Sequence, residues 1–256
     1  MTDEPAGSGT GTTAPEGDGG GFASALLDVY LAPREGFARL LRLRSFWLPL
    51  GLLVALNVAF TAWWVPKADV RGMMRAQLEE QGMWDRLDAD QRGRILDQQE
   101  AGFKYFAWPG AVLGSPIVVF VLSGFFLFVY RFFYGSDVVF RDCLVVTSCT
   151  FFAVGLLHSP AIVATMLLKD DWTLNPQQAL QASPAGLFEP GSLPAWLGTL
   201  FAGLDLFLLW TVFLLAAGFG VASKRSTLSA AWGVVVPYAL ILMCLVGLRL
   251  LLSAAL

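Results

Sequence analysis

Three ionisable residues stand inside long apolar runs of this 256-residue chain, and any chemistry would start with them. Asp205 lies in LFAGLDLFLLW, His158 in AVGLLHSPAIV and Arg249 in LVGLRLLLS. A charged side chain at the centre of a bilayer costs ~2.5–3.5 kcal/mol on insertion scales, so such groups turn toward a bundle interior, a cavity or one another. A carboxylate, an imidazole and a guanidinium gathered there could pass a proton or hold an ion or a lipid headgroup. They could also pair structurally between helices, and Arg249 could reach the surface along its own stem. Both arrangements expect a buried polar cluster of Asp205, His158 and Arg249.

Other reaction types find no footing. Ser159 follows His158, but no GxSxG turn surrounds it, and a Ser-Pro pair in a helix makes a bend more simply than a nucleophile. Cys143, Cys149 and Cys244 have no CxxC spacing and read as small packing residues. No metal-ligand spacing, Walker loop or dinucleotide glycine pattern occurs. The sequence therefore predicts a protein that is not an enzyme, with no catalytic residue, cofactor or metal. A net charge of −3 gives no basic face for nucleic acid.

The elements that must position these groups are five apolar stretches, 46–65, 107–133, 143–168, 195–222 and 229–255. Each holds about 20 residues or more, enough at ~1.5 Å per residue to cross a ~30 Å hydrocarbon core. Only 14% of the chain is charged, against ~25% in a soluble domain. The expected fold class is all-α: a polytopic membrane protein with a bundle of five transmembrane helices. Counting the helical rise puts Asp205 ~15 Å from the outer end of the fourth stretch, His158 ~22 Å along the third and Arg249 ~30 Å along the fifth. Pro160 and Pro237 should kink the third and fifth stretches.

The flanks have their own patterns. Residues 1–21 are rich in Gly, Thr, Ala and Pro and cannot bury enough apolar surface to fold, so a disordered tail is expected. They lack the basic and apolar regions of a secretory signal. Residues 22–45 alternate apolar side chains with Arg34, Arg39, Arg42 and Arg44, and Pro33 divides them into two short helices. That pattern predicts amphipathic interfacial helices on the cytoplasmic leaflet, or helices packed under the bundle. Trp63 and Trp64 read as anchors at the far interface, with Arg39, Arg42 and Arg44 at the near one. The polar loop 66–106 should form two short amphipathic helices, the second capped by Asp88 or Asp90. Four prolines make 169–194 largely irregular. Lys and Arg divide evenly between the two sides. The short, acid-poor loops on the N-terminal side and the dense cluster before the first stretch place the N-terminus in the cytoplasm and the C-terminus outside.

Several local patterns match a known order. LAPREGFARLL (31–41) precedes the first stretch, FRDCLVVTSCTFFAVGLLHSPAIVATML (140–167) carries the Ser-Pro pair, and LDLFLLWTVFLLAAGFGVASKRSTLSAAW (204–232) joins the fourth and fifth stretches. Over roughly residues 25–250 the chain resembles the Yip1 family of five-span membrane proteins, in its bacterial branch. The resemblance implies a cytosolic N-terminus, a 46–256 membrane domain of five spans, and no catalytic residue. Bacterial relatives include proteins that look like accessory partners of ABC-type exporters. Together these readings predict a non-enzymatic scaffold or adaptor in the cytoplasmic membrane of a bacterium. Its partners would be the lipid bilayer and a membrane protein, and the small-residue spacing of Gly110 and Gly114 also permits a homo-oligomer. The alternative is a small transporter or lipid-translocating protein built around Asp205 and His158.

Overall fold

The computed structural model describes residues 21–254 apart from 81, 174, 175, 181 and 189–191, with side chains for all of these except 80, 177, 178, 195, 249 and 251–254. The expected disordered tail, Gly21 aside, lies outside the described residues. Among them there is no strand, and the helices are α1 (Phe22–Leu31), α2 (Pro33–Leu43), α3 (Trp47–Trp64), α4 (Val70–Glu80), α5 (Ala89–Phe132), α6 (Phe140–Lys169), α7 (Pro176–Ala179), α8 (Ala195–Ala202), α9 (Leu206–Ala222) and α10 (Thr227–Ala254). Four of them, α3, α5, α6 and α10, are long and apolar enough to cross a membrane. The pair α8 and α9, bent by 53° at a short break, passes the same test together.

The bundle grows outward from α6. Helices α3, α5 and α9 pack against it, α10 closes on α9, and α8 lies along α10. The core at one end joins α5, α6, α9 and α10 with the two N-terminal helices. Tyr130 is its largest fully buried side chain. Its ring stacks on Phe219 at 4.7 Å, and its hydroxyl donates to the Ala230 carbonyl at 2.7 Å. Room for it comes from Gly233, where a Cβ would lie 3.0 Å from the tyrosine oxygen.

Helices α1 and α2 do not simply lie on the leaflet. Pro33 sits at the first position of α2, where its missing N–H costs nothing, and Ala32 alone separates the two helices. Their contact is close because Gly36 has no side chain: a Cβ there would fall 2.5 Å from the Val29 nitrogen and 2.9 Å from the Ala25 oxygen. Ala25, Val29, Phe37 and Leu40 are buried in the main core. Phe37 packs over Gly218 of α9, and the Tyr30 hydroxyl donates to the Ala153 carbonyl of α6 at 2.5 Å. That carbonyl lies ~20 Å along α6 from its start, so the hairpin enters the bundle as a wedge. Of the two expectations, packing under the bundle is the closer: the apolar faces meet protein, while Leu27 and Leu31 point outward.

Two further expectations change. The second amphipathic helix of the polar loop is not separate. Asp88 starts a single helix of 44 residues, accepting the Gln91 N–H at 2.7 Å while the Gln91 side chain accepts the Asp88 N–H at 3.0 Å. Pro109 does not end it, because the carbonyl it leaves without a helical partner is that of Tyr105, whose residue is 77% exposed at the boundary. Helices α6 and α10 continue through Pro160 and Pro237. The fourth stretch, expected as one span, is instead bent by 53° at Gly203–Leu204–Asp205. An aspartate in an apolar run gains more by capping a helix than by sitting inside one.

The tight α1–α2 contact is testable. Gly36→Ala should destabilise the protein by about 1–3 kcal/mol, since backbone cannot yield as a side chain does. Gly51→Ala, where a Cβ meets nothing within 4 Å, should leave thermal melting in detergent unchanged or slightly raised. Equal melting of the two variants would rule out the close contact.

Candidate functional site

Asp205 is the N-cap of α9. One carboxylate oxygen accepts the N–H groups of Phe207 at 2.9 Å and Leu208 at 3.1 Å. Two further groups at the break are satisfied: the Tyr238 hydroxyl donates to the Gly203 carbonyl, and the Leu206 N–H donates to the Ala182 carbonyl at 3.0 Å. Gly203 is held against α10, where an added Cβ would lie 2.5 Å from the Leu242 side chain. The 17 residues of α9 put Asp205 ~25 Å from that helix's far end, nearer the membrane boundary than the mid-span position expected from the sequence.

His158 is half-buried on α6 at a similar level, its ring 4.7 Å from that of Phe207. Among the described residues no hydrogen bond or ion pair joins it to Asp205. The side chain of Arg249 lies outside the described residues. The structure thus brings Asp205 and His158 to one level and gives the carboxylate a backbone role. Among the described residues no three His, Cys, Asp or Glu side chains gather as a metal site would require.

The richest polar geometry lies beyond the apolar part of α5. Its first 18 residues, 89–106, extend ~27 Å from the apolar stretch, and α4 packs along them. Arg71 of α4 pairs with Asp97 and, at 2.7 Å, with Glu100, while Lys104 reaches Glu100 at 2.8 Å. Arg71 and Lys104 together hold the Glu100 carboxyl well below its usual 4.5, at about 2, so this knot stays charged at neutral pH. Toward the tip, Trp84 lies between the guanidiniums of Arg75 at 5.3 Å and Arg92 at 4.8 Å, and the Arg92 Nε donates to the Trp84 carbonyl at 2.9 Å. At the foot, Lys67 stands over the rings of Trp63 and Trp172 at 4.4 and 5.0 Å. Trp64 meets Phe103 edge-on at 5.3 Å. The two tryptophans expected as anchors therefore pack into a second, smaller core with Ile162 and Met166.

The opposite end is basic and tied by arginine-to-carbonyl bonds. Arg34 donates to the Arg225 carbonyl at 3.2 Å and to the Thr227 hydroxyl at 3.0 Å. Arg225 donates to the Tyr134 carbonyl at 2.9 Å, and Arg141 to the Arg44 carbonyl at 2.8 Å. Arg39 pairs with Asp28 at 2.6 Å across the hairpin. Arg42 and Arg44 are exposed beside it.

The sequence reading did not anticipate the tyrosine hydroxyls, the Arg34–Arg225 tie or the single long helix. Asp88 followed by Gln91, a capping-box spacing, was the available signal for the last of these.

Long apolar helices with most of their charged groups gathered toward the two ends define a multi-pass helical membrane protein. The chain belongs to the Yip1 family: the Yip1 domain profile matches residues 27–248. No curated protein and no solved structure matches it.

If Asp205 serves as a cap, Asp205→Asn should change stability little, since asparagine caps equally well, whereas Asp205→Ala should cost about 1 kcal/mol. Unfolding of both variants in mixed micelles measures this. Equal loss in both would mean that the charge itself is needed.

Proposed function

We propose that this protein is a non-enzymatic membrane scaffold or adaptor whose docking element is the polar arm formed by α4 and the first turns of α5. The observation that carries this reading is the continuity of α5. One helix runs from the lipid to the tip of the arm, and the Arg71 pairs brace it, so the arm presents a fixed surface to a partner. A fixed surface costs a partner less ordering entropy than a flexible loop does. The partner expected is a membrane transport complex such as an ABC-type exporter.

In this reading the spans number five, with α8 and α9 as one broken span, in the cytoplasmic membrane of a bacterium. The N-terminal hairpin faces the cytoplasm. Eight basic residues gather at its end (Arg34, Arg39, Arg42, Arg44, Arg131, Arg141, Lys224 and Arg225) against four acidic ones (Asp28, Glu35, Asp137 and Asp142). The arm's end has as many basic residues, so the tally itself is even, and the dense arginine cluster just before the first span, which usually dominates, favours the hairpin end as cytoplasmic. The break at Asp205 supports a rival reading as a small transporter, which flux of reconstituted Asp205→Asn protein equal to that of the parent would rule out.

Cross-linking from the arm in the host's own membranes tests the adaptor. A photo-crosslinker placed at exposed Gln98 should capture one membrane protein in near-stoichiometric yield, and one at Leu240, on the lipid-facing side of α10, should not. Capture of nothing, or of the same set of proteins from both positions, would sink the proposal.

A further inference from the structure

We propose that the foot of the arm holds the headgroup of an amine-bearing, zwitterionic phospholipid of the phosphatidylethanolamine type. A cavity of about 220 Å³ opens there, lined by Val65, Asp69, Arg71, Glu100, Phe103 and Lys104 among others. An adjoining hollow of about 460 Å³ shares Glu100 and Lys104 and adds Asp97 and Tyr105. Its place in the fold selects the class of ligand. Val65 directly follows the end of α3, and Lys104 lies ~4.5 Å before the apolar stretch of α5 begins. The headgroup layer is ~5–8 Å deep on each side of the hydrocarbon, so the cavity sits at headgroup depth.

The lining selects the headgroup. Val65 and Phe103 supply apolar surface on the hydrocarbon side. Asp69, Asp97 and Glu100 face Arg71 and Lys104, which leaves one negative charge in excess. Glu100 is occupied by both cations. Asp69 uses one oxygen to accept the Gly72 N–H at 2.9 Å, and its second oxygen remains for a donor. Lys104 spends one of its three N–H donors on Glu100 and keeps two for a phosphate. A primary ammonium beside Asp69 and a phosphate beside Lys104 satisfy both. A choline headgroup has no N–H to give Asp69, and a glycerol headgroup adds a net negative charge to a site already negative. The assignment does not depend on the adaptor reading.

Native mass spectrometry of the full chain in detergent with equimolar phosphatidylethanolamine, phosphatidylcholine and phosphatidylglycerol of matched acyl chains tests this. The first lipid should be retained over the other two by about five-fold or more, the scale of one charge-assisted hydrogen bond. Asp69→Asn, which keeps the acceptor for Gly72, and Lys104→Gln should each bring that ratio near one. Arg42→Gln, at the opposite end, should leave it unchanged. Equal retention of all three lipids, a preference for phosphatidylglycerol, or an unchanged ratio in both site variants would overturn the assignment. Soluble phosphoethanolamine in excess should fail to displace the lipid, and full displacement would assign the site to the free headgroup and overturn the lipid reading.

Discussion

A hydroxyl buried between helices in hydrocarbon has no water to turn to, and the links between helices in this bundle are organised around that constraint. Four of the five tyrosines donate a hydroxyl to a carbonyl on another element. Tyr30 of α1 reaches Ala153 of α6, and Tyr238 of α10 reaches Gly203 at the α8–α9 break. Tyr130 and Tyr134, at the end of α5, reach Ala230 and Ser229 of α10. Each ring also fills space, so one residue supplies both the apolar contact and the polar tie. The remaining tyrosine, Tyr105, lies exposed at the foot of the arm, where water competes for its hydroxyl. Glycines complete the arrangement, since Gly233 and Gly203 let α10 come within bonding range of Tyr130 and of the break.

These ties account for two features that look unrelated. The N-terminal hairpin stays in the bundle because Tyr30 and Phe37 hold it from one side and Arg34 from the other, across its single-residue turn. The fourth span can break at Gly203–Asp205 because several of the groups freed there are met: the Gly203 carbonyl by Tyr238, the Leu206 N–H by Ala182 and the first turn of α9 by Asp205. An unsatisfied break would cost several kcal/mol. At the basic end arginines join the tyrosines, and their long stems bring charge to carbonyls that water also reaches. The arm belongs to this wet regime. It is held by ion pairs and cation–π contacts rather than by a core, and its rigidity rests on the continuity of α5.

Much of this was legible in the residues. The apolar stretches mark the long helices because length and composition alone set them, and Pro33 separates α1 from α2 as its fixed geometry requires. Asp88 is the cap, one of the two candidates named. What the sequence left open are the relations across distance. Nothing local says that Tyr130 faces Ala230, one hundred residues away, or that Gly36 meets Val29 too closely for a side chain. The capping role of Asp205 is hidden for a related reason. Asp205 in an apolar run reads as a buried charge in search of a partner across helices, whereas its carboxylate accepts the N–H groups of Phe207 and Leu208 just after it. That solution is visible only once the helix is known to stop at Ala202. Trp63 and Trp64, expected as interface anchors at the end of the first span, also pack on Trp172 and Phe103, contacts that no local pattern announces.

The most direct measurement of this account is the unfolding free energy of the single Tyr30→Phe, Tyr130→Phe, Tyr134→Phe and Tyr238→Phe variants and of all four together, each change removing one oxygen and no packing. Interhelical hydrogen bonds in membranes contribute about 0.6 kcal/mol on average and about 1.7 at most. Each single variant should lose an amount of that order, with Tyr130→Phe at the upper end because its hydroxyl is fully buried. The fourfold variant should lose at least the sum, with the N-terminal hairpin becoming open to protease. A fourfold variant as stable as the parent protein would contradict the account, and packing alone would then hold the bundle.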